Sequence, residues 1–306
     1  MAKLYFVHPG DPRDRLGTEF AMLTFLRRHD VTCVPEPVAL DREHRIGVYE
    51  FVAGTRVRPG EVAWPDALQL AELLARMWAV RGDPAAAQLP AASEAYFTVR
   101  AYVEAMERRL ERMRAVLADG DPRARSFVED EVAPAAARVR RFVEERSPLL
   151  GLDPERKLAP DERTLSPADF GFHNVLRRPD GRLAFLDFEY AGWDDPAVML
   201  AQACIAPAVP LPLDARLPLL RHLLGRLGEG GDIAARLRVI YPLVALKWSM
   251  VALNRFLPVS RERRAFAGSR DAAGAAQITK SRRLVREVDE AAGGPSFLDE
   301  LLREPV

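Results

Sequence analysis

Asp169-Phe170-Gly171-Phe172-His173-Asn174 leads into a short apolar pair, Val175-Leu176, then a polar stretch, Arg178-Pro179-Asp180-Gly181. A second apolar run, Leu183-Ala184-Phe185-Leu186, follows and ends in Asp187-Phe188-Glu189. Consecutive Pro, Asp and Gly favour a tight turn, so the two apolar runs read as the strands of a hairpin. Such a hairpin carries Asp169, Asn174 and Asp187 to one end. Phosphoryl transfer needs this set: one carboxylate accepts the proton of an attacking hydroxyl, and an amide oxygen with a second carboxylate holds magnesium against nucleotide phosphates. Zinc would ask for His or Cys, and His173 alone does not supply that.

The rest of the chain is compatible with a soluble enzyme. Hydrophobic residues make up 48% and charged residues 29% of 306, a globular balance that argues against disorder. Forty-four basic side chains offset forty-four acidic ones, which excludes a general polyanion binder, nucleic acid included. The cysteines, Cys33 and Cys204, lie far apart and show no metal-ligand spacing, so a reducing cytoplasm is the expected setting. The N-terminal apolar run is too short for a signal peptide, and no apolar run is long enough to span a membrane. Of the basic residues only Lys3, Lys157, Lys247 and Lys280 are lysine. Each therefore has a raised chance of serving where a compact point charge is required.

Working outward, residues 3–7 read as a strand and 13–29 as a helix, with Leu16, Phe20, Leu23 and Leu26 at spacings of three and four. Glu19 falls on that apolar stripe and needs a cationic partner there. Residues 36–41 and 45–52 read as two strands, and Ala53-Gly54 breaks the second. Beyond this the chain is mainly helical: 65–82, 93–118, 122–146 with Pro134 as a kink, then 195–206, 214–228, 232–256 and 271–291. The reading is α+β, with a small β-rich lobe over 1–55 and a large helical lobe over 56–306 that carries the hairpin at 164–190.

Asp169-x4-Asn174, the strand end Leu186-Asp187-Phe188-Glu189, and Gly192 with Asp195-Pro196 resemble the aminoglycoside phosphotransferase and choline kinase family. That family shares the protein-kinase-like two-lobe fold. The resemblance implies ATP and Mg2+ as cofactors, Asp169 as the catalytic base, and Asn174 and Asp187 as metal ligands. It also implies that Lys3 holds the nucleotide phosphates and is itself held by Glu19, and that Glu50, Phe51 and Val52 form the hinge that meets adenine. Asp169-Phe170-Gly171 spells the protein-kinase metal-binding tripeptide, but no catalytic Asp and Asn precede it by a hairpin, so Asp187 takes the metal role. Acceptor recognition is expected of Asp194, Asp195, Lys247, Trp248 and Asn254. Lys247 and Asn254 share a helix face with Val251. The arginines at 261–264 and 282–286 read as solvated faces.

The sequence departs from the family pattern in three places. Pro167-Ala168 stands where His-Gly is usual, and Ala197-Val198-Met199-Leu200 lacks an Asp that would cap a helix. The family also places two strands and a phosphate-covering turn before the lysine strand, where here only Met1 and Ala2 precede Lys3. The expectation is that upstream in-frame codons encode them, and that the chain as written binds ATP weakly and turns over poorly. The function expected is ATP-dependent phosphorylation of a hydroxyl on a small molecule: an aminoglycoside, amino alcohol, sugar or glycan precursor. The alternatives are a kinase-like module that binds nucleotide without transfer, and a metal-dependent phosphoesterase built on Asp187, Glu189, Asp194 and Asp195.

Overall fold

The computed structural model describes residues 1–228, 230–257 and 274–303. In chain order it begins with β1 (Ala2–Leu4), α1 (Arg15–Arg28), β2 (Pro37–Asp41), β3 (Ile46–Tyr49), β4 (Thr55–Arg56) and α2 (Trp64–Val80). Next come α3 (Val99–Leu117), α4 (Pro122–Phe127) and α5 (Ala133–Leu149). Then follow β5 (Thr164–Ser166), β6 (Val175–Arg177), β7 (Leu183–Phe185), β8 (Gly192–Asp194), α6 (Pro196–Cys204) and α7 (Leu213–Leu227). The last two helices are α8 (Gly230–Ala252) and α9 (Gly274–Ala292). The fold is α+β and mostly helical. Among the described residues no helix is long and apolar enough to cross a membrane.

The chain folds into two compact units. The first comprises Met1–Ala95 and Leu158–Ile233, and contains every strand among the described residues. One antiparallel sheet runs in the order β1-β3-β2, with Lys3 opposite Gly47. Helix α1 packs on it through β2 and β3, burying Leu16, Met22, Leu23 and Leu26, with Glu19 buried on the same stripe. Asp14 starts this helix by accepting the Gly17 amide at 2.8 Å.

A second sheet, β4-β6-β7, contains the expected hairpin, in register from Val175 opposite Phe185 to Arg177 opposite Leu183. Two contacts tie it to the N-terminal segment: the Phe185 amide donates to the Cys33 carbonyl at 2.8 Å, and β4 adds along β6. Gly54 permits the second contact, because a Cβ there would lie 2.8 Å from the Arg177 carbonyl oxygen. Arg177 also pairs with the buried Asp66 at the start of α2, 2.6 Å away.

The second unit comprises Tyr96–Lys157 and Ala234–Pro305 and is helical among its described residues. Its core is latched by Arg238, fully buried, which donates to Asp299 at 2.7 Å and to the Ala291 carbonyl at 2.6 Å. The helix expected over 122–146 is split, as Pro134 suggested. A π-helical turn, Val128–Val132, separates α4 from α5, because Pro134 has no N–H to continue the regular ladder.

Three sequence expectations are corrected. The helix expected from residue 93 begins at Val99, behind the Thr98 cap. Residues 90–93 are instead laced to β8: the Trp193 amide donates to the Pro90 carbonyl and the Ala92 amide to the Trp193 carbonyl. Strand β1 ends at Leu4 and β3 at Tyr49, earlier than the apolar pattern implied. Helix α6 does not lack a cap, because Asp195 supplies it, accepting the Ala197 amide at 2.8 Å.

Candidate active site

The hairpin sets the geometry of the first unit's polar centre. At its open end the Leu186 amide donates to the Asn174 carbonyl at 2.9 Å, so Asn174 lies across from the residue before Asp187. The Asn174 side-chain amide donates to the Asp169 carbonyl at 3.1 Å, fixing the loop between the two. Asp169 leaves about a third of its side chain exposed, with the His173 ring 3.9 Å from its carboxylate. Ala168 and Asp187 both adopt left-handed backbone conformations, with φ of 63° and 68°. Residues with a Cβ tolerate that region poorly, and such strain gathers at working positions.

Lys3 joins this centre from the other sheet. Its ammonium lies 2.6 Å from Glu19, 2.6 Å from Asp187 and 3.3 Å from Glu189. Glu19 is held from the far side as well: its Oε1 accepts the Phe188 amide at 3.2 Å. Burial pushes the Lys3 ammonium down, but Glu19, Asp187 and Glu189 outweigh it and hold the group above the usual lysine range. Burial pushes the Glu19 carboxyl up; Lys3 opposes that rise and Asp187 adds to it. Arg15, itself buried, comes within 3.8 Å of Glu189 and bonds Asp11.

The donor set suits magnesium. Glu19, Asp187 and Glu189 each offer a carboxylate oxygen, all within 4.8 Å of one another, and hard oxygens are what that ion takes. Sequence reasoning named Asp187 as a metal ligand and gave Glu189 such a role only in the phosphoesterase alternative. It did not foresee that Glu189 and Asp187 would share one ammonium. The spacing Asp-x-Glu after a strand was the available signal.

The other expected positions separate into two groups. Glu50 is engaged with Glu36, the residue just before β2: its amide donates to the Glu36 carbonyl at 2.8 Å and its carboxylate accepts the Glu36 amide at 3.2 Å. Phe51 is 75% exposed beside it, and Val52 is buried. Asp194 and Asp195 are buried and serve the backbone, Asp194 accepting the Asp195 amide at 2.9 Å and Asp195 capping α6. Lys247, Trp248 and Asn254 belong to the second unit, on α8 and the 3₁₀ turn after it. Among the described residues the Trp248 indole nitrogen and the Asn254 amide oxygen are buried without a hydrogen-bond partner. The arginines at 261–264 lie outside the described residues, and Arg282 pairs with Glu131 at 2.7 Å.

No curated protein matches the sequence. Solved structures do match the fold. A choline/ethanolamine kinase family protein from Mesorhizobium loti is 16% identical, with 97% of this chain and 85% of that one covered and a TM-score of 0.57. The choline kinase LicA from Streptococcus pneumoniae is 16% identical over 94% of this chain and 85% of its own, with a TM-score of 0.54. A thermostable mutant of the aminoglycoside phosphotransferase APH(4)-Ia, in ternary complex with ADP and hygromycin B, is 16% identical over 90% and 84%, with a TM-score of 0.50. These likenesses make the fold kinase-like. The model of the phosphotransferase enzyme family matches residues 4–234, from the lysine strand through both hairpin carboxylates and on to α8, and the chain therefore belongs to that family.

Proposed function

We propose that this chain transfers a phosphoryl group from ATP to a hydroxyl of a small molecule, using magnesium. The observation that carries the reading is the meeting of Lys3, Glu19 and Asp187, drawn from three distant parts of the sequence to one ammonium. A strand lysine secured by a helix glutamate next to a metal-binding carboxylate is what a nucleotide triphosphate requires. Lys3 binds the phosphates, Asn174 and Asp187 hold the metal, and Glu189 offers a further oxygen within its reach. Bound there, magnesium neutralises charge on the phosphates. Asp169 accepts the proton of the acceptor hydroxyl as that oxygen attacks, a role open to a carboxylate that keeps a third of its surface accessible.

Residues 1–55 form the nucleotide-facing lobe in this reading, with Glu50, Phe51 and Val52 receiving the adenine. The acceptor is an amino alcohol, an aminoglycoside, or a related sugar or glycan precursor, the range suggested by the choline, ethanolamine and hygromycin B of the solved relatives' names. Lys247, Trp248 and Asn254 are its proposed contacts, and the partnerless indole nitrogen and amide oxygen favour them. Neither Cys33 nor Cys204 is in a disulfide, which fits a cytoplasmic setting.

The test is ATP consumption across an acceptor panel of choline, ethanolamine, aminoglycosides and sugars. With an active acceptor in hand, Asp169→Asn lowers turnover roughly a hundredfold to ten-thousandfold while nucleotide still binds. A variant that keeps most of its turnover removes Asp169 from the mechanism. Nucleotide binding with no acceptor consumed anywhere in the panel favours a binding module instead.

A further inference from the structure

Behind the lysine–glutamate pair lies a buried layer that the transfer chemistry does not use. Tyr5 follows Lys3 by two residues, just past the end of β1, where its amide donates to the Arg45 carbonyl at 2.9 Å; the Lys3 ammonium lies 4.8 Å from the centre of the Tyr5 ring. The Tyr5 hydroxyl is 2.5 Å from Glu19 Oε2, the same oxygen that takes Lys3. It is also 2.6 Å from the hydroxyl of Tyr49. Both tyrosines are buried. Gly47, across from Lys3, makes room for the second ring, since a Cβ there would lie 2.5 Å from the Tyr49 hydroxyl oxygen.

The direction of these bonds follows from the inventory of donors. An ionised carboxylate only accepts, so Tyr5 donates to Glu19, and Tyr49 donates to the Tyr5 oxygen. Burial, with Glu19 alongside, holds the Tyr5 hydroxyl above its ordinary range, and burial pushes Tyr49 up to about 12. Both remain donors wherever an enzyme works. Glu19 thus has Lys3 and Tyr5 on one oxygen and the Phe188 amide on the other. Three donors from two segments, the N-terminal one and the turn after β7, fix the plane of one carboxylate.

We propose that Tyr5, backed by Tyr49, is a positioning residue for nucleotide binding: its hydroxyl locks the Glu19 carboxylate in the orientation that aims Lys3 at the phosphates. The inference rests on the phosphotransferase reading of Lys3 and Glu19. Lys3 is shared among three acids, and Asp187 competes for it at the same 2.6 Å distance as Glu19. Without the Tyr5 hydroxyl Glu19 turns more freely, and the ammonium shifts toward Asp187 and Glu189, away from its nucleotide-binding position. The charged and titratable groups facing Glu19 are Lys3, Tyr5 and Asp187, with Tyr49 and Glu189 one contact further.

The experiment is equilibrium titration of magnesium and AMP-PNP into the full chain, its Tyr5→Phe variant and its Tyr49→Phe variant, with a thermal melt of each. Tyr5→Phe is expected to weaken binding about five- to twentyfold, part of what one hydrogen bond to a charged group is worth, because the loss reaches the nucleotide through Glu19 and Lys3. Tyr49→Phe weakens binding about twofold. If the tyrosines only support the fold, the variants melt earlier but their folded fraction binds with unchanged affinity; that result overturns the inference. Should Tyr5→Phe fail to fold, Tyr49→Phe decides on the same criteria. A wild-type chain that binds no nucleotide at millimolar concentration overturns the phosphotransferase reading, and this inference with it.

Discussion

Ala168 sits immediately before Asp169 with φ of 63°, in the left-handed region that favours glycine. A Cβ in that region costs about 1–2 kcal/mol. The same methyl packs against Ala92 and Tyr190, and burying it returns about 0.8 kcal/mol. The strain is the larger effect, so Ala168→Gly is expected to raise stability by up to about 1 kcal/mol, read as a shift in denaturant midpoint at constant slope. A loss of stability would show that the methyl's packing outweighs the strain. Single residues were legible where their chemistry contradicted their surroundings. Glu19 was conspicuous as an acid on an apolar stripe, and it meets the cation it needed. Tyr5 gave no such sign, because a tyrosine in a strand is equally a core residue, and only its two-residue spacing from Lys3 hinted at a shared face. The left-handed backbone at Asp187 was also hidden, since nothing in a dipeptide such as Leu186-Asp187 announces it.

At the scale of elements, α6 depends on Asp195, whose carboxylate accepts the Ala197 amide and has no exposed surface. Asp195→Ala is expected to cost about 1–2 kcal/mol of stability, while Asp195→Asn keeps an acceptor at the cap and costs much less. Thermal unfolding of both variants separates a cap from a substrate contact. If Asn behaves like Ala, the charge rather than the cap matters. The long helices were readable because a 3.6-residue period persists over several turns, and Pro134 marked the break between α4 and α5. The pairing of β5 with β8 and of β4 with β6 was not readable. Strands of two or three residues are too short to show alternation, and their partners lie far away in sequence. Ser93–Thr98 was misjudged for a related reason: tertiary hydrogen bonds from β8 hold the preceding residues in an extended path.

In the whole molecule each unit has its own charged latch, and the two respond to pH in opposite ways. In the second unit burial pushes the Asp299 carboxyl up, but Arg238, the Ser296 amide and Arg146 outweigh it and hold the group below its ordinary value. A carboxyl lowered by folding adds stability that is complete above the unfolded value of 3.8 and disappears as pH falls toward the folded one. Chemical unfolding followed from pH 6 down to pH 2 is expected to show that loss, and Asp299→Asn to reduce it. An unchanged acid profile in the variant would assign the loss to other carboxylates. In the first unit Lys3 runs the other way: a raised ammonium adds stability that is complete below its unfolded value of 10.5 and is lost above it.

The acid ring around Lys3 also sets it apart from Lys280 as a nucleophile. Only a neutral amine reacts with an acylating reagent, so reactivity follows the ease of losing a proton. Lys280 loses its proton readily, because burial and then Arg283 lower its affinity for it, whereas Lys3 is held protonated by three acids. At pH 8 brief acylation followed by peptide mass spectrometry is expected to mark Lys280 well before Lys3. Asp187→Asn or Glu189→Gln weakens the ring and is expected to bring Lys3 into the labelled set; equal labelling of Lys3 before and after would argue that shielding, rather than charge, protects it. With so few lysines in 306 residues, the chain carries a built-in chemical footprint of its own charge cluster.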